Sequence, residues 1–240
     1  MKQANDGQGH RKLRAFYDGH YYAGAVAVAP SMHLRRLARH MIRVPGLRVL
    51  DVACGSGEWL VAAARQEARV YGVDIASRAV TLAAARLPQG GFAEAVAEAL
   101  PLRDASFDLV TCLGALEHFP DKAGALREMH RVLDPRGRAV ILVPNAGFLT
   151  RRLRLFSGTE QTAVREDVLA LEAWQRLFEA NGFRIERRWR DLHVLSTSWL
   201  LRRGWTGLLP RLLQALALTV WPLRWQYQVY HLLAPIPCDD

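Results

Sequence analysis

Apolar residues along the chain switch between two spacings. Leu47-Arg-Val-Leu-Asp-Val52 is a short apolar run, the signature of a strand buried on both faces. Similar runs return at Ala68 to Val73, more weakly at Gly91 to Ala95, then at Phe107-Asp-Leu-Val-Thr-Cys112 and Arg138 to Val143. Between them the spacing is helical: Ser31 to Arg43, Glu58 to Gln66, Ser77 to Arg86 with Ser77 as expected N-cap, and Asp121 to Leu133, stopped by Asp134-Pro135. Asp167 to Asn181 predicts another helix, closed by Asn181-Gly182, and Phe183 to Trp189 and His193 to Ser198 predict two further strands. This alternation predicts an α/β fold with a doubly wound sheet, any ligand sitting at one strand edge.

The tail departs from this rhythm. Leu208, Leu209, Leu212, Leu213, Leu216 and Val220 form one helical stripe; Trp225, Val229, Leu232 and Leu233 form a second, opposite Arg224, Gln228 and His231. Both are read here as helices of a C-terminal extension. A cap on the core, a pair of interfacial membrane helices and a dimer face all remain open. Arg211 and Gln214 interrupt the run from Leu208 to Trp221, and it falls short of the ~20 residues a spanning helix needs. No transmembrane segment is expected.

Composition narrows the class. Half of the 240 residues are hydrophobic and 23% are charged, which excludes a disordered or collagen-like chain. The net charge is +9, with three Lys among 32 basic residues. That balance favours anionic partners, but no Lys/Arg block exceeds two residues, which argues against dedicated nucleic-acid binding. Cys54, Cys112 and Cys238 make neither a disulfide framework nor a metal-ligand spacing. Met1 to Arg14 is polar and is not expected to be a signal peptide, so a cytoplasmic location is expected.

The first strand runs into Asp51-Val-Ala-Cys-Gly-Ser-Gly57, and a helix follows. Gly55 and Gly57 permit a tight turn and close approach of a ligand to the backbone. The helix N-terminus offers unpaired N–H groups and partial positive charge. The second strand ends in Val73-Asp74, and a carboxylate there can accept both hydroxyls of a nucleoside ribose.

These motifs resemble the class I S-adenosylmethionine-dependent methyltransferases, nearest to the small-molecule group of ubiquinone/menaquinone-type and glycolipid-type enzymes. Val49-Leu-Asp-Val-Ala-Cys-Gly-Ser-Gly57 is similar to their first motif and Tyr71-Gly-Val-Asp-Ile75 to their second. Ala97-Glu-Ala-Leu-Pro-Leu102, Ser106-Phe-Asp-Leu-Val110, Leu116-Glu-His-Phe-Pro-Asp121 and Leu126 to Gly137 resemble the stretches that follow. The resemblance runs from about residue 47 to 190 and implies a seven-stranded mixed, Rossmann-like sheet. It implies that Asp51, Ala53, Gly55 and Gly57 line the methionine end of S-adenosyl-L-methionine. Asp74 would hold the ribose, Ile75 would pack on adenine, Ala97, through its backbone, and Glu98 would close the adenine pocket, and Leu113 would offer a carbonyl near the cofactor amine. The family's first motif often has Gly where Ala53 stands, a variant expected to cost little. Val96 stands where the family has an adenine-binding Asp, which leaves Glu98 or water as the acceptor for the exocyclic amine.

Glu117 and His118 follow the fourth strand, and the resemblance puts an acidic-His pair there. His118 is the candidate base, with a role in packing the next helix as the alternative. Phe16-Tyr-Asp-Gly-His-Tyr-Tyr22 is expected to fold over the cofactor as a lid, bringing Tyr21 and Tyr22 to the sulfonium and acceptor. Arg35 or Arg36 is placed within reach of the cofactor carboxylate. Residues 145–166 form an insertion on the ligand side, with Phe148 as an acceptor contact and Arg151, Arg152 and Arg154 as candidate anion holders. The expected organisation is an N-terminal tail and lid helices at 1–45, the S-adenosylmethionine-binding methyltransferase domain at 46–198 and a helical extension at 199–240. The expected reaction is methyl transfer to a small molecule, most simply a hydroxyl of a metabolite, glycan or lipid-linked precursor. C-methylation of a quinone-like or lipid substrate and a non-catalytic cofactor-binding partner are the alternatives.

Overall fold

The computed structural model describes residues 2–24, 28–149, 166–193 and 208–236. Its centre is a seven-stranded sheet of order β3-β2-β1-β4-β5-β7-β6. The strands are β1 (Arg48–Val52), β2 (Arg69–Asp74), β3 (Gly91–Glu94), β4 (Phe107–Leu113), β5 (Leu133–Pro144), β6 (Phe183–Arg190) and β7 (Gln228–Pro235). β1 to β5 pair in parallel, while β7 runs antiparallel to both β5 and β6. β6 therefore runs with β1 to β5, and all six carboxyl ends lie on one edge.

The strand period of two sorts the core into two layers. Leu50, Val52, Val110, Cys112, Ile141 and Val143 face one side, under α5 (Lys122–Val132) and α6 (Leu171–Glu179). Val49, Leu109, Val140 and Leu142 face the other, under α2 (Met32–Met41), α3 (Glu58–Ala64) and α4 (Ser77–Arg86). Caps set several helix starts. Ser31 Oγ accepts the Leu34 N–H at 3.3 Å, and Asp121 Oδ1 accepts the Gly124 N–H at 2.9 Å. Ser77, the expected cap, is instead the first helical residue, and Ala76 before it has no side chain able to cap.

The tail differs most from expectation. Its first stripe is helical, α7 (Leu208–Val220), but the second is strand β7, inserted between β5 and β6. The residues after 199 are therefore not a wholly helical extension. They supply an interior strand of the sheet. Val229, Tyr230 and His231 are all buried in succession, as are Leu233 and Ala234. A strand covered on both faces loses its two-residue alternation, and the residual apolar spacing imitates a helix. The expected strand at His193 to Ser198 lies outside the described residues apart from His193, which has 3-10 rather than strand conformation.

Leu233 is fully buried, pairing with Ala139 of β5 and Ile185 of β6. Leu233→Ala is expected to cost about 2–5 kcal/mol in urea denaturation. A loss near zero would mean that this tail segment is separable from the core.

Candidate active site

At the carboxyl edge the chain must turn from β1 into α3 within five residues. Ala53, Gly55 and Gly57 take φ of 63°, 53° and 77°, all left-handed. Gly supplies that conformation freely, whereas Ala53 carries the left-handed cost of about 1–2 kcal/mol. The methyl group expected to be cheap therefore sits at a strained position. A Cβ on Gly55 would meet the Tyr22 hydroxyl at 2.7 Å, and one on Gly57 would meet Ala83 Cβ at 3.2 Å.

Asp74 fixes this loop. Its Oδ2 accepts the Gly55 N–H and its Oδ1 the Ala76 N–H, each at 2.9 Å. Burial pushes its carboxyl above the ordinary range, while those backbone N–H groups pull it back. Asp51, on the neighbouring strand, accepts the Thr111 hydroxyl at 2.6 Å. Burial raises its carboxyl to about 7, against the pull of Thr111, with Asp74 adding repulsion.

A cavity of about 200 Å³ opens beside these groups. Its floor includes Ala53, Asp74, Ile75, Val96, Ala97 and Leu113, and His118 closes one side. Its roof is the N-terminal segment, α1 (Lys2–Phe16) followed by one wide π-type turn, Tyr17–Tyr21. Tyr17, Tyr21 and Tyr22 cluster there, with ring centroids 4.9–6.2 Å apart. Burial raises the Tyr17 and Tyr22 phenols, so both stay neutral. Three contacts hold the roof down. His10 Nε2 lies 3.1 Å from Glu98 Oε2, Arg14 pairs with Glu94 at 2.7 Å, and the Arg78 N–H donates to Asp18 at 3.0 Å.

The structure thus brings together most of the residues singled out in the sequence. Asp51 lies buried beside the cavity floor, and Gly55 and Gly57 shape the loop behind it. Glu98 lines the cavity, but its Oε1 accepts the Asp121 N–H at 3.2 Å and its Oε2 faces His10. It is an acceptor already in use. Phe148 is not brought to the cavity. It is buried with Ala215 and Leu218 under α7. Arg35 is turned to the Pro30 carbonyl at 3.0 Å, and neither it nor Arg36 lines the cavity. Arg151, Arg152 and Arg154 lie outside the described residues.

Of two further features, the first was singled out only as half of an acidic-His pair, and the second had no sequence signal. Glu117, in the 3-10 turn Leu116–His118, is buried with Oε2 lacking a hydrogen-bond partner. Burial raises its carboxyl to about 8, with Glu166 adding repulsion and Lys122 partly offsetting it. Further along the edge, Asp191 sits between two imidazoles, His33 Nδ1 at 3.2 Å and His193 Nδ1 at 2.5 Å, and the Tyr230 hydroxyl is 2.9 Å from His33 Nε2. These residues come from three distant parts of the chain, so no motif spacing announces them.

The donor set suits a cationic nucleoside. A buried carboxylate serves a ribose, left-handed backbone at a glycine loop allows close approach, and neutral aromatic faces suit a sulfonium. The fold is a Rossmann-like seven-stranded mixed sheet with this cavity at its carboxyl edge. Residues 50–141 match the family described as "Methyltransferase domain". The chain is 39% identical over 132 residues to a ubiquinone/menaquinone biosynthesis C-methyltransferase of Geotalea uraniireducens, covering 51% of this chain and 54% of that one. It is 39% identical over 104 residues to a ubiquinone biosynthesis O-methyltransferase of Albidiferax ferrireducens, covering 41% of each. The chain thus spans about half or less of the length of these curated relatives. A Haemonchus contortus phosphoethanolamine N-methyltransferase 2, solved in complex with S-adenosyl-L-methionine, matches with a TM-score of 0.65 at 17% identity. That match covers 94% of this chain and 60% of that one, and at such identity it speaks for the fold.

Asp74→Ala is expected to weaken S-adenosylhomocysteine binding about tenfold or more, because a charged acceptor is worth ~1.5–3 kcal/mol. Calorimetry measures this, and unchanged affinity would remove Asp74 from the ribose.

Glu117 makes a second prediction. Between the ordinary carboxylate range and about 8, the unfolded chain ionises Glu117 while the folded protein keeps it protonated. Stability therefore falls as pH rises through that window. Glu117→Gln takes out this share of the slope and should be the more stable protein at the alkaline end, by on the order of a few kcal/mol. Urea denaturation at both ends of the window measures it, and equal slopes would show the side chain to be hydrated.

Proposed function

We propose that the chain is an S-adenosyl-L-methionine-dependent methyltransferase acting on a small-molecule acceptor, with a hydroxyl oxygen as the methylated atom. The observation that carries this reading is a cavity that joins Asp74, Ala53 of the β1–α3 loop and the tyrosine cluster to His118. S-adenosylmethionine, when bound, supplies an electrophilic methyl group. Asp74 would take the ribose hydroxyls, Ile75 and Ala97 the adenine, and the backbone from Asp51 to Gly57 and at Leu113 the methionine end.

The remaining work falls to the cavity walls. Tyr17, Tyr21 and Tyr22 would exclude water and face the sulfonium. Tyr21 and Tyr22 would also meet the acceptor. His118, at the carboxyl end of β4, would take the acceptor's proton. Alignment of oxygen, methyl and sulfur supplies much of such a rate, and the base adds to it. Carbon methylation of a quinone-like acceptor is the second reading, favoured by the activity named for the Geotalea relative.

The experiment is transfer of a labelled methyl group into a metabolite extract, with purified wild type and His118→Ala. The variant should turn over about 10²–10⁴ more slowly while S-adenosylhomocysteine affinity stays unchanged. Near-normal turnover at every pH would return His118 to a packing role. No transfer by the wild type would leave a cofactor-binding protein without catalysis.

A further inference from the structure

α7 has two apolar sides. Ala215 and Leu218 are buried against Phe148, with Trp221 and Tyr227 beside them. Leu212, Leu216 and Val220 face outward, 39%, 61% and 77% exposed, on three successive turns. The other exposed large apolar side chains among the described residues lie on other elements or in loops, away from α7. No described helix is long and apolar enough to cross a membrane, so any lipid contact of this 13-residue helix would run along a surface.

Charge says which surface. Between Asp191 and Asp239 the sequence has four Arg (Arg202, Arg203, Arg211 and Arg224) and no Asp or Glu. Trp221 and Trp225 stand at the end of α7 in an edge-to-face pair, with the Arg224 guanidinium 5.2 Å over the Trp225 ring. Apolar stripe, Arg and Trp together are the make-up of an element that lies in a lipid headgroup layer. A second copy of this chain would bring the same one-signed charge to a two-fold contact, which works against self-pairing.

We propose that the outward face of α7 docks on an anionic lipid surface. The helix is fixed where such docking would matter. Asn145, the residue after β5, donates to the carbonyls of Arg224 and Gln226 at 3.0 and 3.1 Å. Gln226 in turn donates to Leu218 O and Trp221 O at 2.7 and 3.0 Å, closing the end of α7. The C-terminal end of α7 is thus pinned to the strand edge that carries the cavity. On the methyltransferase reading above, a lipid-dissolved acceptor then reaches the site from the surface itself.

The test is flotation of the full chain with vesicles of phosphatidylcholine, with and without phosphatidylglycerol. Binding is expected on the anionic vesicles at low salt and should fall as salt rises. Leu216→Glu and Val220→Glu, both exposed and remote from the cavity lining, should each weaken it roughly tenfold or more. S-adenosylhomocysteine affinity, measured on the same samples, should stay unchanged in both variants. Its loss in the wild type would sink the methyltransferase reading and leave the docking result standing. Absence of binding to phosphatidylglycerol vesicles, or equal binding by the variants, would overturn the proposal. So would a wild-type dimer in sedimentation equilibrium that Leu216→Glu makes monomeric.

Discussion

The candidate site depends on one buried carboxylate. Asp74 ends β2 and accepts backbone N–H groups from two different turns, at Gly55 and at Ala76. That double contact ties the β1–α3 loop to the β2–α4 turn. It also holds Ala53, Gly55 and Gly57 left-handed, which an untethered loop would not sustain. A carboxylate has about four lone-pair positions. Two serve the scaffold, and Asp74 also lines the cavity, so the same side chain shapes the loop and faces the open space beside it.

The roof is held by a different kind of interaction. Arg14–Glu94 is a partly exposed pair whose strength depends on the surrounding ions, and His10 approaches Glu98 from the same helix. Glu98 accepts the Asp121 N–H and faces His10, so one side chain that lines the cavity also meets the roof. Tyr17 and Tyr22 behind these contacts are neutral and partly buried while Tyr21 is half exposed, so the interior of the roof is governed by packing and its rim by charge.

Much of this was legible in the sequence. β1, β2 and β4 are apolar runs bounded by turn residues, and each helix between them has a stripe matching its buried face. Asp74 was legible because strand, carboxylate and glycine loop stand in a local order that only one edge geometry satisfies. Phe148 was misread because proximity in sequence to a ligand-side loop does not say which way a ring turns; it turned under α7. β7 was misread because burial on both faces erases alternation. Asp191 with His33 and His193 could not be read at all, since the contact exists only after β6 and α2 have met at one edge.

The place of β7 has a consequence for how the molecule is made. During synthesis β5 and β6 emerge before the strand that lies between them. Until Gln228 to Pro235 follow, β6 has no partner and β5 presents an open hydrogen-bonding edge. The last step of sheet formation is then the entry of a late segment between two earlier ones, closing loops of long sequence separation on both sides. Its pairings are among the most non-local of the sheet, the kind that close at the greatest loop-entropy cost. The strand that the sequence disguises as a helix is thus also the one that covers the facing edges of β5 and β6.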